Sequence, residues 1–184
     1  MENRGDTMPT WPLKNRQSQF PSSTRAGSFW EDRQDRRHCG IDLYADQGAD
    51  VMAIESGEVV DTGIMTAPEL IHYWNITHYV ILKNSDGTFW KYGEMEKIFI
   101  KTGDSIGEGQ LIGKVGLVLN ASRINENSPL YIQKLKDKNP SMLHLELFSD
   151  HPIGTHEKYL GGNWFDQERP KNLLNPTERL LKIK

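Results

Sequence analysis

A mainly β fold with tightly turned strands is what this sequence predicts, and three observations predict it. Sixteen glycines and nine prolines in 184 residues imply many turns, which favours sheet over a helical bundle. Residues 141–148 alternate strictly, with Leu143, Leu145 and Leu147 interleaved with Met142, His144 and Glu146, the period of a strand. Residues 76–83 are β-branched and aromatic, stop at Asn84-Ser85-Asp86-Gly87, and are followed by a second such run over 88–92, the pattern of a hairpin. The length suits one domain with a sizeable core. A net charge of −3 supplies no basic field for nucleic acid, and no apolar run approaches membrane-spanning length. Cys39 is the one cysteine, so no intrachain disulfide forms and a disulfide-stapled secreted domain is excluded.

Taken in order, residues 1–37 are polar and turn-rich, with Trp11-Pro12-Leu13 as the early apolar anchor, and read as an arm packed on the domain. Short β-type runs follow at 51–54 and 58–62, separated by the turn signal Ser56-Gly57. After the hairpin, Gly103, Gly107, Gly109, Gly113 and Gly116 punctuate a stretch around Leu111-Ile112, which means tight turns and close backbone approach. Residues 119–140 are polar, carry Lys134, Lys136 and Lys138, and read as an insertion loop with a helical turn at most. Strand 141–148 closes the domain proper at 38–148. In the extension 149–184, Asn175 or Thr177 is placed to cap a short final helix over 178–182.

The chemistry-bearing residues sit at both ends of that domain. If the leucines of 143–147 face a core, Met142, His144 and Glu146 face something polar; a half-exposed strand meeting water has the same pattern. His38 and Asp42 lie on one side of an extended chain, but four residues at about 3.3 Å each span about 13 Å, too far for ligands about 2 Å from one metal ion. Gly40, midway, permits a bend. Chance spacing in a polar loop is the competing reading.

His38-x-Gly40-x-Asp42 followed by the β run 51–60 resembles the opening motif of the lysostaphin-type (LytM-like) zinc endopeptidases. The lead-in Trp11-Pro12-Leu13 and Arg37, the turns Gly103-Asp104, Gly109-Gln110 and Ile112-Gly113, and the closing His144-Leu145-Glu146 extend the resemblance over roughly residues 11–148, in order. It implies a compact antiparallel β-sheet groove with one zinc ion at its floor, held by His38, Asp42 and His144. Two imidazoles and a carboxylate leave a fourth position open for water, as catalytic zinc sites do. Glu146 is then placed to orient a ligand histidine from behind.

Two departures fall on the catalytic pair of that family. Its Tyr-x-His-Leu segment is Tyr92-Gly93-Glu94-Met95 here, and the first histidine of its His-x-His is Met142. One reading makes Glu94 the general base, as a glutamate serves in His-Glu-x-x-His proteases, with Arg37 or Tyr92 at the groove replacing the lost donor. Extended geometry over 88–94 would put Trp90, Tyr92 and Glu94 on one face. The other reading is an inactive zinc-stabilised module that binds peptidoglycan or a protein partner. The resemblance implies peptidoglycan peptides as substrate. No apolar h-region follows the first residues, so the expectation is synthesis in the cytoplasm and action at the cell wall after lysis or delivery by a phage or injection system. His78 reads as structural, His72, His151 and His156 as solvated, Cys39 as a buried small residue, and Trp30, Trp74 and Trp90 as core or rim packing.

Overall fold

The computed structural model describes residues 9–14, 25–138, 140–152 and 157–183. Among them are twelve strands: β1 Arg37–His38, β2 Ile41–Tyr44, β3 Asp50–Met52, β4 Gly57–Thr66, β5 Thr77–Asn84, β6 Phe89–Ile98, β7 Ser105–Ile106, β8 Leu111–Val115, β9 Met142–Phe148, β10 Tyr159–Leu160, β11 Asn163–Trp164 and β12 Leu173–Leu174. Two short helices, α1 Leu130–Gln133 and α2 Thr177–Leu181, complete the set, with a 3-10 turn at Ala121–Arg123. None is long and apolar enough to cross a membrane. The mainly antiparallel β architecture expected from the glycine content and the alternation is the one observed.

Nine strands form one sheet in the order β12-β9-β6-β5-β4-β7, with β2 also on β9 and β8 joining β6 to β3. The alternation of β9 sets its two faces. Leu143, Leu145 and Leu147 enter the main core beside Ile41 and Leu43 of β2, Val80 and Leu82 of β5 and Trp90 and Tyr92 of β6. The pairing Leu43↔Leu143 and Ile41↔Leu145 keeps apolar residues opposite one another, so the residue between them, Asp42, falls opposite His144.

β6 changes partner partway along. Phe89 to Gly93 pair with β9, and Met95 to Ile98 pair with β8. Between them stands Glu94, with φ of 61°. On β5 the step from Val80 to His78 is two residues, while their partners Tyr92 and Met95 are three apart. That extra residue is a β-bulge, and it breaks the alternation there. Tyr92 and Met95 both enter the core, and Glu94 is turned off the core face.

A second sheet of three short strands, β1-β11-β10, stands apart from the first. The chain leaves it at Cys39-Gly40 to enter the main sheet at Ile41. β10 and β11 form a hairpin whose two-residue loop is Gly161-Gly162. Both have positive φ, 52° and 79°, the combination a type I′ turn needs. Ends of the chain are woven in. Leu13 is buried and bridges Val51. Leu180 and Ile183, from α2 and just beyond it, enter the main core. Asn175 Oδ1 accepts the Thr177 N–H at 3.0 Å at the start of that helix.

Candidate metal centre

Three donor atoms from two sheets converge. Asp42 Oδ1 lies 2.9 Å from His144 Nδ1 and 3.1 Å from His38 Nε2, and the two ring nitrogens are 3.0 Å apart. The bend at Cys39-Gly40 makes this triangle, because it lifts His38 onto β1 while Asp42 stays paired with His144. Gly40 is required there by contact. A Cβ on it would stand 2.3 Å from the Leu145 carbonyl oxygen and 2.8 Å from His144 Cε1. Gly162 closes the other side of the same ring, where a Cβ would meet His144 Nε2 at 2.7 Å.

The outer nitrogens settle where the protons are. His38 Nδ1 is 2.8 Å from the Ser28 carbonyl, which only accepts, so Nδ1 carries the hydrogen. His144 Nε2 is 2.9 Å from Glu146 Oε1, again an acceptor. In the neutral rings both inner nitrogens are therefore lone pairs, and they face each other and a carboxylate oxygen. Three acceptors at 2.9–3.1 Å call for a cation among them. A tetrahedral zinc ion would set its donors about 3.3 Å apart, so each edge needs to widen by only a few tenths of an ångström. The residues present fit zinc.

Titration reports the same convergence. Burial pulls His144 down, but hydrogen bonds to Asp42 and Glu146 outweigh it and lift the ring to about 9. Burial holds His38 below its ordinary value despite Asp42. Burial pushes Asp42 up, yet the two histidines carry it well below the usual carboxylate range. Glu146, 0% exposed, is brought to about 2, because Lys91, His144 and Tyr159 together overcome desolvation. Glu94, half-buried, rises to about 7, first through desolvation and then through the charge of Asp42, with His144 and Arg33 opposing.

Of the residues singled out from sequence, His38, Asp42, His144 and Glu146 are in direct contact, and Glu94 is close enough to Asp42 and His144 for their charges to move its titration. Three placements differ from expectation. Tyr92 does not approach the groove. Its side chain is fully buried in the core, where its hydroxyl accepts the Ile54 N–H at 2.9 Å. The bulge is the reason: Trp90 and Tyr92 share the core face, and Glu94 does not share it with them. Arg37 does not face the site either. It binds Asp32 and Gln167 at the surface. Nor is the His144–Glu146 face open along its length. His144 is 1% exposed, covered by the β10–β11 hairpin, while Met142 at the start of β9 is half-buried. Cys39 is buried and free, and desolvation raises its thiol. Trp90 and Trp74 pack in cores, His78 is half-buried on β5, and His72 and His151 are exposed. His156 lies outside the described residues.

The structure adds four residues to the neighbourhood. Arg33 Nη2 donates to Asp42 Oδ2 at 3.2 Å, leaving Oδ1 for the histidines; its other nitrogens reach Glu31 and Asn163. Tyr44, 40% exposed, lies two residues beyond Asp42 on the same strand face, and the charges of Asp42, Arg33 and Glu94 act on its hydroxyl. Lys91 and Tyr159 stand behind Glu146. Alternation in β2 was enough to find Tyr44, and Gly161-Gly162 between Tyr159-Leu160 and Asn163-Trp164 was a hairpin signal for Tyr159. Arg33 had no such signal: the turn that delivers it uses positive φ at Trp30 and Gln34, neither a glycine.

Comparison with known proteins agrees with this architecture. Residues 36–146, more than half of the chain, match the sequence model of Peptidase family M23. The catalytic domain of the antimicrobial peptidase lysostaphin from Staphylococcus simulans is similar in fold, with a TM-score of 0.51 at 18% identity over 84% of this chain and 87% of that one. A longer lysostaphin structure gives 0.49 at 20% identity, over 79% of this chain and 45% of that chain. A zinc containing peptidase from Vibrio cholerae gives 0.48 at 19% identity, over 77% and 36%. The chain thus spans less than half the length of these two proteins.

Proposed function

We propose, from the premise that this chain belongs to peptidase family M23, that it is a zinc-dependent endopeptidase acting on the peptides of bacterial peptidoglycan, with His38, Asp42 and His144 as the ligands and Glu94 as the base. The single observation that carries the reading is the convergence of Asp42 Oδ1, His38 Nε2 and His144 Nδ1 within 3.1 Å of one another, a triangle a dication can occupy in place of the proton on His144. Zinc bound there supplies Lewis-acid polarisation and makes a water molecule acidic enough to attack near neutral pH.

The protein's own groups do the rest. Glu94, pushed up to about 7 by burial and by Asp42, is matched to taking a proton near neutral pH and returning it to the departing amine. With a dication held by His38, Asp42 and His144, that value would fall and Glu94 would be ionised. Its left-handed backbone costs about 1–3 kcal/mol and is the kind of strain kept where a side chain must be aimed. Met142 offers no hydrogen to a developing oxyanion; the hydrogen-bond donors nearest in the fold are Arg33, 3.2 Å from Asp42 Oδ2, and Tyr44, two residues beyond Asp42 on the same strand face. The site of action we assign is the cell wall, reached by lysis or by an injecting or phage-borne machinery.

Met142, at the position where the family carries a histidine, favours a second reading: a zinc-stabilised module that binds wall peptides without cutting them. Glu94→Gln separates the two. At matched zinc content, one ion per chain by metal analysis, the variant is expected to hydrolyse peptidoglycan fragments at least about 100-fold more slowly than wild type. Equal rates remove Glu94 from the mechanism. A zinc-loaded wild type that cuts nothing across a panel of wall peptides establishes the binding module instead.

A further inference from the structure

The hairpin β10–β11 lies beyond residues 36–146, the part that matches the family, yet it covers His144. Behind that ring stands a chain of buried polar groups that the hydrolytic reading leaves unused. Lys91 is 7% exposed, although it carries an ammonium group. Its Nζ donates to the Tyr159 hydroxyl at 2.5 Å and sits over the rings of Tyr159 and Tyr79 at 4.2 and 4.9 Å. The Tyr159 hydroxyl lies 2.6 Å from Glu146 Oε1. Lys91 Nζ also faces Glu146 Oε2 at 3.9 Å, and Oε2 makes no hydrogen bond among the described residues.

We infer that Lys91 and Tyr159 are positioning residues for His144, which set the direction of the hydrogen bonds that keep its Nδ1 a lone pair turned toward Asp42 and His38. The inference rests on the zinc reading above. A phenol hydroxyl has one hydrogen and two lone pairs. On Tyr159 the Gly162 N–H approaches at 3.2 Å, and Lys91 approaches at 2.5 Å. Both are obligate donors, so both lone pairs are taken and the single hydrogen goes to Glu146. Glu146 Oε1 then accepts from Tyr159 and from His144 Nε2–H together. Every bond in the relay has one allowed polarity, and it ends on one tautomer of His144.

Packing reinforces the same orientation. The ring lies closely against Gly40 and Gly162, where any added Cβ would stand within 2.9 Å of its atoms. Lys91 does a second job: its ammonium group stands 3.9 Å from Glu146 Oε2, so the second carboxylate oxygen faces a cation while Oε1 accepts from Tyr159 and His144. Partners of this kind behind a ligand histidine typically carry 10–100-fold in metal affinity. Here one of them, Lys91, comes from β6 and the other, Tyr159, from the C-terminal hairpin beyond the matched region.

The test is a double-mutant cycle on zinc affinity, measured by competition with a chromophoric chelator, using the full chain. Tyr159→Phe keeps the ring and removes the hydroxyl. Glu146→Met keeps the volume and removes the acceptor. Each single variant is expected to bind zinc about 10–100-fold more weakly, and Tyr159→Phe is expected to add nothing in the Glu146→Met background. A lost packing contact would weaken binding equally in both backgrounds, and that result overturns the inference, as does unchanged affinity in Tyr159→Phe. If Tyr159→Phe does not fold by circular dichroism, Lys91→Met goes through the same cycle with the same expectation. A wild type that takes up no zinc overturns the zinc reading and this inference together; a zinc-binding wild type with an indifferent relay overturns the inference alone.

Discussion

Two histidines that share a carboxylate differ in how their second nitrogen is tied, and that difference has a measurable consequence. With zinc stripped by a chelator, His144 holds a proton up to about 9 because Asp42 and Glu146 both accept from it. The folded value exceeds the unfolded one of about 6.5. The stability this group adds is therefore complete below about 6.5 and is lost as pH rises through about 9. A metal ligand carries no proton at that nitrogen, so zinc and the proton compete. The rise in melting temperature on adding zinc is expected to be larger at pH 9 than at pH 6; a rise independent of pH would show that His144 is not the competing site. Gly40 is the second test at this scale. An alanine Cβ 2.3 Å from the Leu145 carbonyl oxygen forces β2 away from β9. Gly40→Ala is expected to cost about 1–3 kcal/mol in denaturant titration and to lower zinc content, and a variant as stable and as metalled as wild type would refute the contact. The motif spacing singled out His38, Asp42 and His144, which the fold brings together, and the bend at Gly40 between the first two. Arg33 and Arg37 were not distinguishable, because which arginine reaches the site depends on the arm's turn and not on its order in the sequence.

Strands were legible where one face is apolar and the other polar. The leucines of β9 and the pair Ile41 and Leu43 of β2 announce their faces, and pairing them places Asp42 opposite His144 without further information. β6 was legible as a strand over 88–92, but neither its continuation to Ile98 nor its register was read. Its apolar residues look continuous, and reading them at period two puts Tyr92 and Glu94 together. The bulge between Gly93 and Met95 separates them, and it exists because β6 must leave β9 for β8 at that point. Gly93, a lone glycine inside a strand run, was the available hint. The covering hairpin escaped for a different reason. Strands of two residues are too short for any periodicity, so the only signal is the Gly161-Gly162 loop.

Seen as a whole, the chain closes on itself from both ends. Leu13 from the N-terminal arm and Leu180 and Ile183 from the C-terminal segment are in one core with the strands. Arg179 adds an ion pair with Glu55 across that closure. A chain ended at Leu174 loses two buried aliphatic side chains worth about 1.5–3 kcal/mol each, a large share of the roughly 5–15 kcal/mol that holds a domain. It is expected to lose its cooperative melt or to show a markedly lower midpoint by calorimetry, and an unchanged midpoint would make the final helix dispensable. The donor triangle has one more implication at this scale. His38 and His144 stand 106 residues apart, so an ion that joins them closes a loop covering most of the chain. In a disulfide of comparable span, the entropy withheld from the unfolded chain amounts to about 4.7 kcal/mol. This protein has a single cysteine and no such bond. An unfolded chain can offer the nearby pair His38 and Asp42 to a metal, but recruiting His144 means paying for that loop. Zinc held by all three residues would therefore select the folded chain, and its removal would release a loop of 106 residues.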